Sequence, residues 1–440
     1  MREMKDSGIE WIGAIPQDWK TDRLQWHLKE INVSNNPIQT KNILSLTIEA
    51  GVIPYAEKGN QGNKAKEDYS QYKIALPDTL VINSMNVIIG AVGISQYFGC
   101  VSPVYYVFEP IEGTDLRYIY YLFTNTGFQK EMRKYAKGIL EIRLRISSND
   151  MLKRIVPSPP FKEQQRIADY LDKMCAEIDA VLEKTRASIE EYKKLKQAVI
   201  TQAVTKGIRG DRPMKDSGIE WIGEIPAEWS VVRQKYFWNT IESGVSVNAA
   251  DKPVDNSEQY GVLKTSAVSK FMFIPTEHKQ VNLEEYGRVS CPVRADSIIA
   301  SRMNTPELVG ACGYVQNNYP NLFLPDRLWQ ITFKDELSPK YAWYYLSGIR
   351  VRQYISSLST GTSSSMQNIS QSQYGNIFIT IPSIGEQSEI AKYLDEKCNS
   401  VDALIAKKQQ YLIEIENYKK SLIYEYVTGK KEVKTSVLAD

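Results

Sequence analysis

One long segment occurs twice in this chain, at residues 163–205 and 386–428, and the two copies align without a gap. The first copy begins EQQRIADYLDKMCAEIDAVLEK and the second begins EQSEIAKYLDEKCNSVDALIAK. Apolar residues recur three and four positions apart in both, which is the spacing of one helix face and suits a coiled-coil seam. Each copy follows a proline, past which a helix does not readily extend backwards. The repeat predicts two long helices, each about 65 Å long at about 1.5 Å per residue.

Two matched long helices most simply bury their apolar stripes against each other. Two ordinary core helices remain the alternative interpretation. The residues predicted to pair are Ile167, Leu171, Met174, Ile178 and Val181 in the first copy, and Ile390, Leu394, Val401, Leu404, Ile415 and Leu422 in the second.

A second repeat stands at the start of each half of the chain. Residues 4–13 and 214–223 both read MKDSGIEWIG. The match continues to Trp19 in the first copy and to Trp229 in the second. The apolar residues of this irregular leader are expected to clamp it onto the domain that follows. The chain therefore has the order leader, variable domain, helix, leader, variable domain, helix.

The two variable domains repeat one order of elements with different content. Strands are predicted at residues 72–76, 79–82, 87–89 and 104–108, and helices at 115–124 and 127–135. The second domain follows the same order, with Gly310 and Gly313 matching Gly90 and Gly93. We therefore predict two copies of one mixed α/β domain with diverged surfaces.

The sequence lacks the motifs of several catalytic classes. It contains no GxxxxGK[ST] phosphate loop, no glycine-rich cofactor loop after a strand and no [D/N]PP[Y/F] segment. The five cysteines are scattered without a CxxC pair, which indicates neither a zinc site nor a disulfide framework. No run of about 18 apolar residues and no secretory signal is recognisable, so a reducing cytoplasm is expected. We predict a non-catalytic, cytoplasmic chain without a metal of its own.

Two motifs carry a resemblance to a known family. The leader SGIEWIGxIPxxW occupies residues 7–19 and 217–229, and the helix start EQxxIAxYLD occupies residues 163–172 and 386–395. Because both motifs occur twice and in alternating order, the chain resembles the specificity (S) subunits of type I restriction-modification systems. The resemblance implies an α+β fold with two similar mixed α/β target-recognition domains. Two long conserved helices would separate them as an antiparallel coiled coil, with pseudo-twofold symmetry.

On this resemblance the chain divides into a first recognition domain (1–157), a spacer helix with its linker (158–210), a second recognition domain (211–381), a second spacer helix (382–430) and a tail (431–440). Each domain would read one half of a bipartite, asymmetric site in double-stranded DNA, and the helices would set the unread gap. The implied partners are two methyltransferase (M) subunits, which methylate adenine N6 from S-adenosylmethionine, and restriction (R) subunits, which use ATP and Mg²⁺. Such complexes act in antiviral defence, and no cofactor is expected on this chain itself.

DNA contacts are expected from basic, amide and hydroxyl side chains on the variable loops. A solvated surface is the alternative interpretation for each cluster, and a net charge of only +2 also leaves open a scaffold protein that recognises peptides. The candidates are Lys58, Asn60, Lys64, Lys66, Arg133, Lys134, Lys137, Arg143 and Arg145 in the first domain, and Lys264, Lys270, Arg302, Asn304, Arg350, Arg352, Ser364, Gln367 and Asn368 in the second.

Overall fold

The structure of the protein is a computed structural model that describes residues 2–59, 65, 68–138, 144–363 and 366–433. The chain divides into two compact units. Unit 1 consists of Met1–Arg186 and Gln409–Asp440, and unit 2 consists of Ala187–Lys408. Each unit contains one leader, one variable domain, and about half of each long helix. The candidates Asn60, Lys64, Lys66, Arg143 and Ser364 lie outside the described residues.

Two of the eight α-helices in the described part of the chain are far longer than the others, with 46 residues in α4 and 44 in α8. They coincide with the two copies of the repeat, so the two predicted long helices are confirmed. The helices are Leu116–Thr124 (α1), Thr126–Tyr135 (α2), Ser148–Leu152 (α3), Phe161–Lys206 (α4), Pro339–Ser347 (α5), Ile349–Leu358 (α6), Gln371–Gly375 (α7) and Ile384–Val427 (α8). Short 3-10 helices lie at Leu24–Trp26, Tyr55–Lys58, Tyr69–Gln71, Val87–Ile89, Gln234–Phe237, Thr265–Val268 and Leu283–Glu285.

Unit 1 is built on a four-stranded antiparallel sheet with the order β4-β11-β8-β9. Its strands are Met4–Asp6 (β1), Ala14–Pro16 (β2), Lys20–Arg23 (β3), Leu28–Ile31 (β4), Leu44–Thr47 (β5), Gly51–Pro54 (β6), Lys73–Ala75 (β7), Thr79–Asn83 (β8), Val92–Ser95 (β9), Gly99–Val101 (β10), Tyr105–Pro110 (β11) and Ile155–Ser158 (β12). All five residues of β8 are buried, as expected for a strand covered on both faces. The core joins the leader, the sheet, α1 and both long helices through Trp19, Phe108, Tyr118, Leu171 and Val427.

Unit 2 repeats this sheet as β16-β25-β21-β23, in the same order of equivalent strands. Its strands are Met214–Asp216 (β13), Glu224–Pro226 (β14), Ser230–Arg233 (β15), Trp238–Ser243 (β16), Ala249–Ala250 (β17), Gly261–Leu263 (β18), His278–Val281 (β19), Pro292–Val293 (β20), Ser297–Ser301 (β21), Met303–Asn304 (β22), Cys312–Val315 (β23), Tyr319–Phe323 (β24), Leu328–Phe333 (β25), Thr360–Ser363 (β26), Met366–Asn368 (β27) and Phe378–Ile381 (β28). Unit 2 also contains a five-stranded sheet, β17-β19-β18-β24-β20, and a three-stranded sheet, β22-β27-β26. The shared strand order confirms two similar mixed domains.

One predicted strand is wrong. Residues 87–89 form a 3-10 helix that ends at Gly90, whose φ of +85° places it in the left-handed region. Glycine adopts this conformation without the steric penalty that a Cβ imposes, so the chain turns here instead of continuing a ladder. The other three predicted strands and both short helices agree with the structure to within two residues. Across the described residues, no helix combines the length and the apolar character that a bilayer crossing requires.

Candidate nucleic-acid interface and helix seam

In unit 1, side-chain contacts show that α4 and α8 pack antiparallel. The Arg186 guanidinium lies 2.8 Å from the Glu416 carboxylate, and Lys419 Nζ lies 2.7 Å from Asp179. Nearer the start of α4, the rings of Tyr170 and Tyr426 have centroids 4.5 Å apart. As the residue number decreases along α4, the number of the contacting residue in α8 increases, so the two helices run antiparallel.

The same arrangement occurs in unit 2, where the second half of α4 meets the first half of α8. Lys196 Nζ lies 2.6 Å from Asp402, and Lys408 Nζ lies 5.7 Å from the centre of the Tyr192 ring. The antiparallel pairing of the repeated helices is therefore found in each unit.

Most of the predicted seam residues are buried, but Val181 and Leu404 are corrections. Their exposed fractions are 39% and 42%, whereas the next residue along α4, Leu182, is only 5% exposed. Buried or half-buried positions advance by alternating steps of four and three in both helices. They fall at 171, 175, 178, 182, 185 and 189 in α4, and at 394, 398, 401, 405, 408 and 412 in α8. Val181 and Leu404 each stand one residue outside this heptad register. Ile167, Leu171, Ile178, Ile390, Leu394 and Leu422 are buried, and Met174, Val401 and Ile415 are half-buried.

In unit 1, four of the five described candidates lie in the last turn of α2 or at an antiparallel bridge that follows it. Lys137 and Arg145 are both exposed and face each other across an antiparallel bridge, with backbone N–H···O distances of 2.8 and 2.9 Å. Arg133 is exposed in the last turn of α2. Lys134 is held by the carboxylates of Glu10 and Glu131, which raise the pKa of its ammonium group. Lys58 is half-buried, with its Nζ 5.3 Å from the Tyr55 ring centre.

In unit 2, four candidates are brought together by the three-stranded sheet. Asn304 pairs with Gln367, and the neighbouring register pairs Met303 with Asn368. Arg302 precedes this strand, and its carbonyl oxygen accepts the N–H of Ile369, 3.0 Å away. The structure thus assembles residues that are far apart in the sequence. Lys264 lies apart, 3.4 Å from Asp251, and Lys270 and Arg350 are exposed elsewhere on the unit.

Each unit has one antiparallel residue pair at this point, which we call its hairpin pair, and the two pairs carry different side chains. Lys137 faces Arg145 in unit 1, and Thr360 faces Asn368 in unit 2, both in antiparallel pairs and at positions that the ungapped helix repeat makes equivalent. Lysine and arginine suit phosphate oxygens and the acceptors of guanine, whereas an asparagine amide suits adenine N6 and N7. The same frame therefore presents two different hydrogen-bonding chemistries.

Arg352 is not available for a DNA contact, which corrects its prediction as a candidate. It is 7% exposed, and its Nη2 donates to the carbonyl oxygens of Val309 and Glu307 at 2.6 and 3.2 Å. Its guanidinium carbon lies 5.0 Å from the centre of the Phe271 ring, and burial lowers the pKa of the group. Arg352 belongs to the buried face of α6 with Val351 and Ile355, and it ties the segment after β22 to that helix.

Sequence reasoning missed two buried carboxylates, Glu163 and Glu386, which are 8% and 4% exposed in the first turn of their helices. Each accepts a hydrogen bond from the leader tryptophan of its unit, Trp19 or Trp229. The sequence did contain a signal for this contact. The motif that ends in the tryptophan and the motif that begins with the glutamate both occur twice, in alternating order. No group of three or more potential metal ligands occurs among the described residues.

Comparison with known proteins identifies relatives along most of the chain. The family described as type I restriction modification DNA specificity domain matches residues 16–191 and 226–417. The MjaX protein of Methanocaldococcus jannaschii is 27% identical over 449 residues, covering 96% of each chain. The type I restriction enzyme MjaVIII specificity subunit of the same organism is 27% identical over 331 residues, covering 73% of this chain and 71% of the relative.

Solved structures show the same fold at low sequence identity. A chain from a study of assembly and conformational transition of the type I R-M system has a TM-score of 0.69 at 16% identity, covering 95% of this chain and 99% of that one. The HsdS subunit of Thermoanaerobacter tengcongensis has a TM-score of 0.50 at 15% identity, with coverages of 95% and 98%. With two matched specificity domains and an antiparallel helix pair in each unit, this chain belongs to the family of type I restriction-modification specificity subunits.

Proposed function

We propose that each recognition domain of this chain binds one half of a bipartite, asymmetric site in double-stranded DNA. On this proposal the paired helices set the number of unread base pairs between the halves. The observation that carries it is the repeated frame with unlike hairpins, Lys137 with Arg145 in unit 1 and Thr360 with Asn368 in unit 2. Two readers of the same geometry but different hydrogen-bonding chemistry select two different half-sites, and hence a sequence that is not a palindrome.

The chain acts in this proposal as the non-catalytic component of a larger complex. Two methyltransferase subunits dock on it and methylate adenine N6 with S-adenosylmethionine, and restriction subunits that use ATP and Mg²⁺ convert the assembly into an endonuclease. The absence of phosphate-loop and methyltransferase motifs from the sequence supports placing this chemistry on the partners.

The test is methylation of DNA by the chain together with its methyltransferase subunit, with the modified adenines mapped by sequencing. The wild-type complex is expected to modify one bipartite sequence, and the isolated chain is expected to transfer no methyl group. Methyl transfer by the isolated chain would overturn the non-catalytic assignment. If the complex binds neither a specific sequence nor non-specific DNA at low salt, the result would favour a peptide-binding scaffold.

A double variant assigns one half-site to one hairpin. Lys137→Thr with Arg145→Asn gives unit 1 the side chains that unit 2 carries at the same two positions. Loss of a bidentate guanine contact is expected to cost about 1–3 kcal/mol and to relax selectivity at one or two bases of a single half-site. The matched control is Lys20→Thr with Arg23→Asn, which removes the same charge from two exposed residues of β3 that are not among the candidates. Equal loss at both half-sites in a salt series would mean that the hairpin pair contacts phosphates only.

A further inference from the structure

In unit 1, the leader and the helix start meet at one buried carboxylate. Trp19 Nε1 donates to Glu163 Oε2 at 2.9 Å, and the two terminal nitrogens of Arg2 donate to Glu163 Oε1 and Oε2 at 2.5 and 2.9 Å. Arg2 also pairs with Asp18 at 2.7 Å and lies 5.7 Å from the centre of the Trp19 ring. A buried carboxylate with three donors is costly to disturb, because loss of one donor leaves charge that water cannot solvate.

In unit 2, the equivalent residues make the same contact. Trp229 Nε1 donates to Glu386 Oε2 at 2.9 Å, and Arg212 Nη1 donates to Glu386 Oε1 at 2.6 Å. Arg212 also pairs with Glu228 at 3.0 Å and lies 5.0 Å from the centre of the Trp229 ring. Arg212 stands at the position that matches Arg2, just before the identical leader segment, although the residues on either side of the two arginines differ. The arginine therefore belongs to the repeated junction.

A second contact follows at the next residue of each helix. Gln164 Oε1 accepts the backbone N–H of Asp115 at 3.0 Å, and its Nε2 donates to the Pro159 carbonyl at 2.9 Å. Gln387 repeats this geometry, accepting the N–H of Ser338 at 2.8 Å. In both units the glutamine therefore fixes the residue that caps the first helix of the recognition domain.

A third contact lies two turns further along each long helix. Tyr121 of α1 donates its hydroxyl to Asp172 at 2.6 Å, and Tyr344 of α5 donates to Asp395 at 2.8 Å. The glutamate, glutamine and aspartate are the polar residues of EQxxIAxYLD whose side chains reach the leader, the helix cap and the helix body of one domain. Three separated contacts fix both the position and the direction of a rigid body.

We infer that these three residues are positioning residues that lock each recognition domain at one angle on its long helix, and that this angle sets the selectivity for spacer length. The inference rests on the proposed bipartite recognition. A domain of about 140 residues has a radius of gyration of about 14 Å, so its far surface lies on the order of 20 Å or more from the junction. A rotation of about 10° there moves a reading side chain by roughly 3.5 Å, which is one base step of about 3.4 Å.

The experiment weakens the junction in unit 2 and measures spacer tolerance. Glu386→Gln keeps an acceptor for Trp229 and removes the charge that Arg212 binds. Trp229→Phe keeps an aromatic side chain but removes the N–H donor together with part of the buried indole ring. Glu389→Gln is the matched control, because Glu389 lies one turn along the same helix and makes an exposed pair with Arg209. Each full-length variant is assayed with the methyltransferase subunit on DNA whose spacer has the native length or differs by one base pair.

Both junction variants are expected to raise methylation of the altered spacers relative to the native one by about five-fold, the factor that corresponds to roughly 1 kcal/mol. The half-site bases should stay unchanged, and Glu389→Gln should behave as the wild type. A role in stability alone would lower all rates together and leave the ratio between spacers at its wild-type value, and that result would overturn the inference. If the wild-type complex itself shows no bipartite preference, the proposed function fails instead.

Discussion

The two units differ in the hydrogen bonds that end their long helices, and this difference predicts the free-energy cost of removing one hydroxyl in each unit. In unit 1 the acceptor is the carbonyl oxygen of Val427, at the end of α8. It accepts the hydroxyl of the fully buried Tyr118 at 2.9 Å. The equivalent carbonyl in unit 2, that of Val204 in α4, accepts from Tyr341 at 3.3 Å and also from the Thr380 hydroxyl at 2.6 Å. Position 157, which matches Thr380 in the ungapped repeat, is a proline without a hydroxyl.

Removal of the tyrosine hydroxyl should therefore cost more in unit 1 than in unit 2. Tyr118→Phe leaves a buried carbonyl without its side-chain donor, which costs about 1–3 kcal/mol, whereas Tyr341→Phe leaves the Val204 carbonyl bonded to Thr380 and costs about 0.5–1.5 kcal/mol. If the helix ends open locally, these energies correspond to amide exchange faster by about 5- to 150-fold near the end of α8, and by about 2- to 10-fold near the end of α4.

Hydrogen exchange of the full-length chain, followed by mass spectrometry, reports the two helix ends separately. Peptides that cover residues 420–428 and 200–206 are compared between each variant and the wild type. The reasoning is refuted if Tyr341→Phe accelerates exchange at the end of α4 as much as Tyr118→Phe accelerates exchange at the end of α8.

Three further outcomes are expected. Leu394→Ala should destabilise unit 2 by about 2–5 kcal/mol in urea unfolding because its side chain is fully buried, whereas Leu404→Ala, at an exposed site, should stay within about 0.5 kcal/mol. Burial shields the Cys312 thiol and raises its pKa to about 11, so maleimide labelling of Cys312 at pH 8, followed in its own peptide, should be at least about two orders of magnitude slower in the native chain than in urea. Burial lowers the pKa of His27, so the unfolded chain binds a proton at this residue before the folded chain does as the pH falls below about 6.5. The free energy of unfolding of unit 1 should therefore decrease below that pH, and it should decrease less steeply in His27→Gln.

The repeats were enough to predict the long helices, but not which residues meet in the seam. A stripe of apolar residues is compatible with more than one register, and Val181 and Leu404 are apolar residues that lie beside the seam. Conversely, Lys408 and Lys419 are half-buried at heptad positions, with their ammonium groups near Tyr192 and Asp179. Long lysine stems can cover apolar surface while their charged ends reach outward, so charge alone does not exclude a seam position.

The candidate DNA-contacting residues show the corresponding limit in the variable domains. Arg352 and Arg302 are equally basic in the sequence, but their surroundings differ. Arg352 lies on the buried face of α6, whereas Arg302 is half-buried directly before β22, beside the three-stranded sheet. The pairing of Asn304 with Gln367 joins two distant segments of the chain, and no local pattern specifies such a contact. Their role in DNA recognition stays a prediction.

Duplication makes the molecule its own control, because a contact found in both units belongs to the shared frame. The glutamate–tryptophan contact measures 2.9 Å in unit 1 and in unit 2, and the aspartate–tyrosine contact measures 2.6 Å in the first and 2.8 Å in the second. At the hairpin the backbone pairing recurs, but Lys137 and Arg145 give way to Thr360 and Asn368. On the proposed function, selection for one geometry with two chemistries would produce this division, since the frame would hold both readers alike while each reader faced different bases. A protein that bound one kind of partner at two identical sites would instead be expected to repeat the hairpin side chains as faithfully as it repeats the junction.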